Sequence, residues 1–188
     1  MKKFLAEADK FIKKNKLNVL KGVFLFAMIT LVIHYSYRFW ARKDYWPVYS
    51  AMHFAHDKMS DLVYDQSTWF IDNILPIAIT KGETRMICFD NGGYIGINHG
   101  CSGLKQILQF TLLFLIFPGP WKKKLWFIPL GIVIVHLTNL FRIIGLSIIT
   151  VNIPQYWDFS HDYLFRPFFY VVIFLLWVWW VERLSVKQ

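Results

Sequence analysis

The sequence LWFIPLGIVIVHLTNLFRIIGLSIITV, at residues 125–151, decides the class of this fold. A helix rises about 1.5 Å per residue, and a helix that crosses the hydrocarbon core of a bilayer needs about 20 predominantly apolar residues. Residues 125–151 exceed that length, so the helix would tilt or project from the bilayer. The segment predicts a transmembrane helix and therefore an integral membrane protein.

Three further apolar segments lie at residues 19–40, 104–118 and 164–181. The segment at 104–118 is short, and it crosses a bilayer only if the preceding residues, from Cys101 to Gly103, lie at or just below the interface. The last segment ends in WVWWVE, where tryptophan rings suit the membrane interface. We predict an all-α polytopic membrane protein, a single domain over residues 1–188 with about four transmembrane helices.

The overall composition fits this class. The chain has 188 residues, of which 56% are hydrophobic and 19% aromatic, and its formal net charge is +9. Nucleic-acid binding would suit the charge, but it requires Lys and Arg clustered on a surface with aromatic side chains displayed for stacking. Here the basic residues flank apolar segments. We therefore predict that the chain associates with the lipid bilayer and does not bind nucleic acid.

The distribution of Lys and Arg predicts the orientation, because short basic loops stay in the cytoplasm. Residues 1–18, the loop GPWKKK at 119–124 and the tail with Arg183 and Lys187 are basic. With four crossings, residues 41–100 and 152–163 then lie outside. No small-residue cleavage pattern follows residue 40, so we expect the first helix to remain uncleaved. Residues 4–12 place apolar side chains among lysines, which predicts a helix lying on the inner membrane surface.

The outer segment at residues 41–100 reads as two parts. Up to about residue 79, aromatic side chains alternate with several aspartates, which predicts an amphipathic helix on the membrane or a re-entrant piece. The second part alternates apolar and polar residues around the turn DNGG at 90–93, which predicts a β-hairpin. That hairpin would lead directly into Cys101.

Polar residues inside the predicted crossings are costly there and tend to mark function. They form two helical stripes, Cys101, Lys105 and Gln109 in one segment and His136, Asn139 and Arg142 in another. Counted from residue 125, Arg142 lies roughly 26 Å along a crossing whose core is about 30 Å thick. His161 precedes the last crossing. Topology alone therefore brings Cys101, Arg142 and His161 to one depth at the outer edge.

This convergence suits nucleophilic catalysis. A cysteine is a good nucleophile only as a thiolate, which a neighbouring cation stabilises. His161 would take the thiol proton and later donate it to a leaving amine. Arg142 stays protonated, so its role would be to stabilise the oxyanion of a tetrahedral intermediate and to hold the thiolate.

The order NHGCSGL at 98–104, NLFRI at 139–143 and HD at 161–162 resembles the exosortase and archaeosortase family of membrane cysteine transpeptidases. The resemblance implies an enzyme of the bacterial or archaeal cytoplasmic membrane that recognises a C-terminal sorting signal on exported proteins. Such an enzyme cleaves the signal at the outer face through a thioester and transfers the protein to a lipid or glycan acceptor, or to water. By this resemblance Cys101, Arg142 and His161 are catalytic.

Four further residues are candidates for supporting roles: Lys105, Asn139, His99 and Asp162. Lys105 is a cation one helical turn from Cys101, and it either helps to hold the thiolate or extends to the interface. Asp162 would orient His161, although adjacent side chains seldom face each other. His99 is a second candidate for the base.

Three alternatives compete with catalysis. Cys88 and Cys101 would lie in an oxidising compartment and could form a disulfide. His34 and His136 lie in predicted crossings and could ligate haem in an electron carrier. A non-enzymatic scaffold or assembly subunit would tolerate replacement of all three proposed catalytic residues. For the enzyme we predict no cofactor, and no metal, because no His and carboxylate ligands recur at helical spacing in a crossing.

Overall fold

The computed structural model describes residues 17–185, with side chains from residue 21 to residue 184. The predicted inner-surface helix at residues 4–12 lies outside the described residues. The helices are α1 (Leu17–Arg42), α2 (Tyr49–Ile74), α3 (Leu104–Ile116), α4 (Trp121–Asn152), α5 (Trp157–Phe159) and α6 (Arg166–Trp179). Short 3-10 turns occupy His99–Cys101 and Pro154–Tyr156, and π-helical segments occupy Ser160–Phe165 and Trp180–Ser185.

Three helical segments of the described chain are long and apolar enough to cross a membrane: Lys21–Arg42, Trp121–Asn152 and Pro154–Leu184. Their outward surfaces are apolar. On α4, Val133, Leu137 and Phe141 form a stripe at helical spacing, each more than half exposed. A soluble protein rarely exposes such a surface, whereas lipid chains would cover it. The chain is therefore a largely helical, multi-pass membrane protein.

Helix α3 has 13 residues, which gives it a length of roughly 20 Å. That is short of a hydrocarbon core of about 30 Å. The helix packs between α1 and α4, and its Phe110 and Phe114 are fully buried. Four complete crossings therefore stay a prediction, and three candidate spans are what the structure supplies.

An aromatic core fills the end of the bundle where α3 turns into α4. Phe114, Phe127 and Trp180 pack there with ring centroids 4.9 to 5.8 Å apart. A Cβ at Gly131 would overlap the Phe110 ring, so glycine is what lets α3 approach α4. Tight aromatic packing of this kind holds the helices in one register.

The segment before Cys101 forms a three-stranded antiparallel sheet, where the sequence predicted a two-stranded hairpin. Its strands are β1 (Ile79–Gly82), β2 (Met86–Phe89) and β3 (Tyr94–Gly96), in the order β1-β2-β3. The sequence predicted a division of this region at about residue 79, and the structure shows that residues 79–82 pair with β2 as a further strand. The buried face of the sheet packs on α2 and α4.

Polar contacts fix the sheet in place. Arg85 donates from Nε to Asp61 at 2.7 Å and from Nη1 to Asp57 at 3.1 Å, which ties the sheet to α2. These two carboxylates raise the pKa of the Arg85 guanidinium. At the other side, Asn91 Nδ2 donates to the Thr150 carbonyl at 2.9 Å and anchors the β2–β3 turn on the last turn of α4. The sheet therefore lies over one end of the bundle.

One of the two sequence-based interpretations of the outer segment was a helix, and residues 49–74 do form one continuous helix, α2, with the buried positions Ser60, Val63, Ser67 and Ile71 on one face. The predicted outer loop at 152–163 is mostly helical and continuous with α6. Polar residues such as His161 suggested a loop, but their side chains find polar partners while the backbone remains helical.

Candidate active site

A cavity of about 1030 Å³ opens at the sheet-covered end of the bundle. Its wall includes Cys101, Arg142 and His161. These residues come from three separate elements: the 3-10 turn after β3, helix α4, and the π-helical segment before α6. The structure therefore brings the three residues singled out from the sequence to one cavity.

Cys101 ends a short, rigid turn. Its amide donates to the Asn98 carbonyl at 2.9 Å, and the Asn98 side chain accepts from the Gly100 amide at 2.9 Å. Asn139 Nδ2 donates to the Cys101 carbonyl at 2.7 Å, which fastens the turn to α4. Gly103 has φ of 75°, and a Cβ there would come within 2.9 Å of the Asn139 amide nitrogen. Both its conformation and this close approach call for glycine.

Arg142 is a buried cation beside the thiol. Its side chain is 4% exposed, and it lines the same cavity as Cys101. The guanidinium carbon lies 5.6 Å from the centroid of the Phe169 ring. Nε and Nη2 have no hydrogen-bond partner in the part of the chain that the structure describes. Unpaired donors are costly when buried, so this geometry suits an anion that forms beside Cys101.

His161 is oriented by the residue next to it. Its Nδ1 lies 2.7 Å from Asp162 Oδ1, and its ring stacks on Trp157 with centroids 4.9 Å apart. An ionised carboxylate only accepts, so Nδ1 carries the proton and Nε2 is left as the basic nitrogen. The same Asp162 oxygen also binds Arg166 at 3.0 Å. The two adjacent side chains of His161 and Asp162 therefore meet within the π-helical segment Ser160–Phe165.

The other predicted residues divide between this cavity and a second cluster. Lys105 lines the cavity, with its ammonium 5.8 Å from the Tyr37 ring centroid. Asn139 acts through the Cys101 backbone, as described above. His99 faces away: its Nε2 lies 3.0 Å from Asp57 Oδ1, and its ring stacks on His56. His99 and Arg85 lower the pKa of the Asp57 carboxyl through these hydrogen bonds.

The second cluster supports the turn from behind. His56 Nδ1 lies 3.0 Å from Ser102 Oγ, and Ser102 Oγ donates its proton to the His99 carbonyl at 2.8 Å. The Ser102 oxygen must therefore accept from His56, which fixes the His56 tautomer. Burial, and then the charges of His99 and His53, lower the pKa of His56. Neutral His56 thus links α2 to the residue after Cys101.

Several lining residues escaped sequence reasoning. Arg38, Arg166 and Tyr170 contribute to the wall of the cavity. Arg38 follows His34 by one helical turn in an otherwise apolar segment, and this spacing was the available signal. Among the described residues, the cavity wall thus holds four Lys or Arg side chains, Arg38, Lys105, Arg142 and Arg166, and one carboxylic acid, Asp158.

The structure also bears on the disulfide, haem and metal alternatives. Cys88 and Cys101 are both free, and Cys88 alternates on β2 with the buried Ile87 and Phe89, so it faces away from the cluster that Cys101 joins. His34 bonds the Tyr170 hydroxyl at 3.2 Å, whereas His136 bonds Gln66 at 2.7 Å. The two histidines thus have partners on different helices. Among the described residues, no group of three or more His, Cys, Asp or Glu side chains could hold a metal ion.

Comparison with known proteins gives one match. Neither a curated protein nor a solved structure matches the chain. Residues 45–179 match the family described as Transmembrane exosortase (Exosortase_EpsH). The matched range contains Cys101, Arg142 and His161 and covers well over half of the sequence. The chain belongs to the transmembrane exosortase family.

Proposed function

We propose that this protein is a membrane cysteine transpeptidase or protease that removes a C-terminal sorting signal from exported proteins. The observation that carries the proposal is that the buried Arg142 guanidinium, with two unpaired nitrogens, lines the same cavity as Cys101 and His161. Membership of the exosortase family supports this class of chemistry. The proposal also assigns a role to each of these three residues.

In the first step, His161 Nε2 takes the thiol proton and the Cys101 sulfur attacks the scissile carbonyl carbon. A C–S bond forms, and the carbonyl electrons move to oxygen. The unpaired N–H groups of Arg142 stabilise that negative charge. This electrostatic stabilisation is stronger in a site shielded from water. The C–N bond then breaks as His161 protonates the leaving amine, and a thioester on Cys101 remains.

In the second step, an acceptor attacks the thioester carbon. His161 takes the proton of the attacking group, the C–S bond breaks, and the Cys101 thiol is restored. The acceptor is a lipid or glycan nucleophile, or water. Asp162 holds the imidazole in the productive tautomer through both steps.

We assign the cavity to the outer face of a bacterial or archaeal cytoplasmic membrane. The basic segment at residues 119–124 lies at the start of α4, whereas Arg142 lies 21 positions further along from Trp121. At about 1.5 Å per residue this separation is roughly 31 Å, close to the thickness of the hydrocarbon core. If the basic loop is cytoplasmic, the cavity opens outside.

The test is processing of exported substrates in the native host. Cys101→Ala should abolish processing, whereas Cys88→Ala, the matched control at the other cysteine, should retain it. Equal membrane levels of the wild type and both variants are confirmed first by immunoblotting. Equal loss in both variants would indicate a disulfide instead. Full processing by both would contradict the enzyme proposal and favour a scaffold.

A further inference from the structure

The hydrogen bonds between β2 and β3 show which way each residue of β3 directs its main chain. The Phe89 amide donates to the Gly93 carbonyl at 2.9 Å, and the Ile97 amide donates to the Arg85 carbonyl at 3.0 Å. In an antiparallel ladder such pairs alternate along the strand. Together with the pairing of Ile87 with Ile95, this alternation directs the amides and carbonyls of residues 93, 95 and 97 toward β2.

The intervening residues, Tyr94 and Gly96, therefore direct their amides and carbonyls away from β2. No fourth strand covers that side in the part of the chain that the structure describes, since β3 is an edge of the sheet. Within residues 17–185, neither residue has a main-chain hydrogen bond on that side. The edge thus offers alternating donors and acceptors at the spacing of a peptide strand.

This free edge borders the proposed catalytic cavity. Residues 92–96, Asn98, Gly100 and Cys101 all contribute to its wall. A Cβ placed on Gly96 or on Gly92 would meet no atom within 4 Å. The space over these two glycines is therefore free, and the strand leads through the 3-10 turn to Cys101.

The opposite edge of the sheet differs. The strand β1 pairs Gly82 with Met86 and Thr80 with Cys88, and alternation then directs the main chain of Lys81 away from the sheet. None of residues 79–82 belongs to the cavity wall as the structure describes it. Of the two edges, only that of β3 leads to Cys101.

We propose that the substrate polypeptide docks on the free edge of β3 as an added strand, which delivers its scissile carbonyl to Cys101. This rests on the proposed cysteine chemistry and adds how the substrate is held. A strand lies about 4.8 Å from its neighbour and matches the alternating groups of Tyr94 and Gly96. A lipid has no such repeating pattern. Main-chain pairing requires an extended substrate segment and tolerates different side chains.

The direct test compares two conjugates of the full-length Cys88→Ala protein in detergent. The first probe is acetyl-tetra-alanine chloromethyl ketone, and the second is iodoacetamide. In each case the Cys101 sulfur displaces the halide: a C–S bond forms, the carbon–halogen bond breaks, and the thiol proton passes to solvent. Amide hydrogen exchange is then measured by residue. The amides of Tyr94 and Gly96 should exchange at least about tenfold more slowly in the peptide conjugate, with that of Lys81 unchanged.

A second test uses proline, which removes one amide donor. Tyr94→Pro deletes a donor on the free edge without removing a bond to β2, and Lys81→Pro is the matched control on the opposite edge. Tyr94→Pro should slow labelling by the peptide ketone about five- to tenfold, the effect of roughly one hydrogen bond. Labelling by iodoacetamide should not change, and Lys81→Pro should alter neither rate.

The outcomes separate the two proposals. Failure of iodoacetamide to label Cys101 would contradict the cysteine chemistry itself. Normal labelling with no protection of Tyr94 and Gly96 would overturn the docking proposal and leave the chemistry standing. Protection that appears in the unlabelled protein as its concentration rises would identify a second copy as the occupant and would also overturn the proposal. If Tyr94→Pro does not fold, the exchange measurement on the unsubstituted edge still decides.

Discussion

Helix α4 carries two buried cations whose surroundings differ. Lys124, near its start, is 3% exposed and donates to the carbonyls of Leu115 at 3.0 Å and Phe117 at 2.7 Å. Arg142 is 4% exposed, yet two of its nitrogens lack a partner in the described chain. A satisfied buried cation closes the end of a helix, whereas an unsatisfied one is kept for a charge that arrives later. Equal burial therefore corresponds to two different roles.

The largest expected effect comes from Arg142→Lys. An ammonium keeps the charge but loses the planar fork, so the rate of substrate processing should fall about 10²- to 10³-fold. The measurement is the time course of processing in isolated membranes. Arg183→Lys, at an exposed position beyond α6, is the control and should behave as wild type. Full processing by Arg142→Lys would show that only the charge matters.

Asp162→Asn tests the orientation of the base. An amide can donate to His161 Nδ1, which favours the tautomer with the proton on Nε2 and removes the base. Processing should slow about 10- to 100-fold. Asp158→Asn is the control, because Asp158 lines the same cavity but does not bond to His161. Equal loss in both variants would indicate that the charge of the cavity matters and the tautomer does not.

Lys124→Met tests the structural role of the other buried cation of α4. It leaves the carbonyls of Leu115 and Phe117 without their donor, so the free energy of unfolding should fall by about 1–3 kcal/mol. Labelling of Cys101 by iodoacetamide should remain unchanged in the folded protein. Thermal unfolding in detergent measures the loss of stability. Lys122→Met, at the exposed neighbouring position, is the control. A change in Cys101 labelling without loss of stability would contradict the assigned structural role.

The smallest effect concerns pH. Burial lowers the pKa of His56 below its usual value of 6.5, so the unfolded chain binds a proton at a higher pH than the folded one. The stabilising contribution is complete above the unfolded value and is lost as the pH falls below it. His56→Gln, which keeps a side chain able to bond Ser102, should reduce the loss of thermal stability between about pH 8 and 5. An unchanged pH dependence would assign it to groups other than His56.

Sequence reasoning succeeded where the signal is local. Apolar length placed the three candidate spans, and the spacing of Asn139 and Arg142 placed both on the buried face of α4 that meets Cys101. It was less successful for His136, which was assigned to the same stripe but turns to Gln66 on α2. The position of α2 depends on long-range packing, which periodicity within α4 cannot report.

The boundaries around His161 show a different limit. The sequence predicted an outer loop at residues 152–163, and the adjacent side chains of His161 and Asp162 were not expected to meet. The structure instead has a π-helical segment at Ser160–Phe165, in which the side chains of His161 and Asp162 are in contact. A π-helical segment adds one residue to a turn, and no residue type marks that addition in a sequence.

The sequence by itself determined that this is a helical membrane protein and which polar residues lie near the end of its spans, because hydropathy and spacing are properties of each segment alone. Only the tertiary structure decided which of those residues share a cavity. It directed His99 toward Asp57 and left the edge of β3 open beside Cys101. Side-chain direction and strand pairing depend on contacts between segments far apart in the chain, and a single segment carries no record of them.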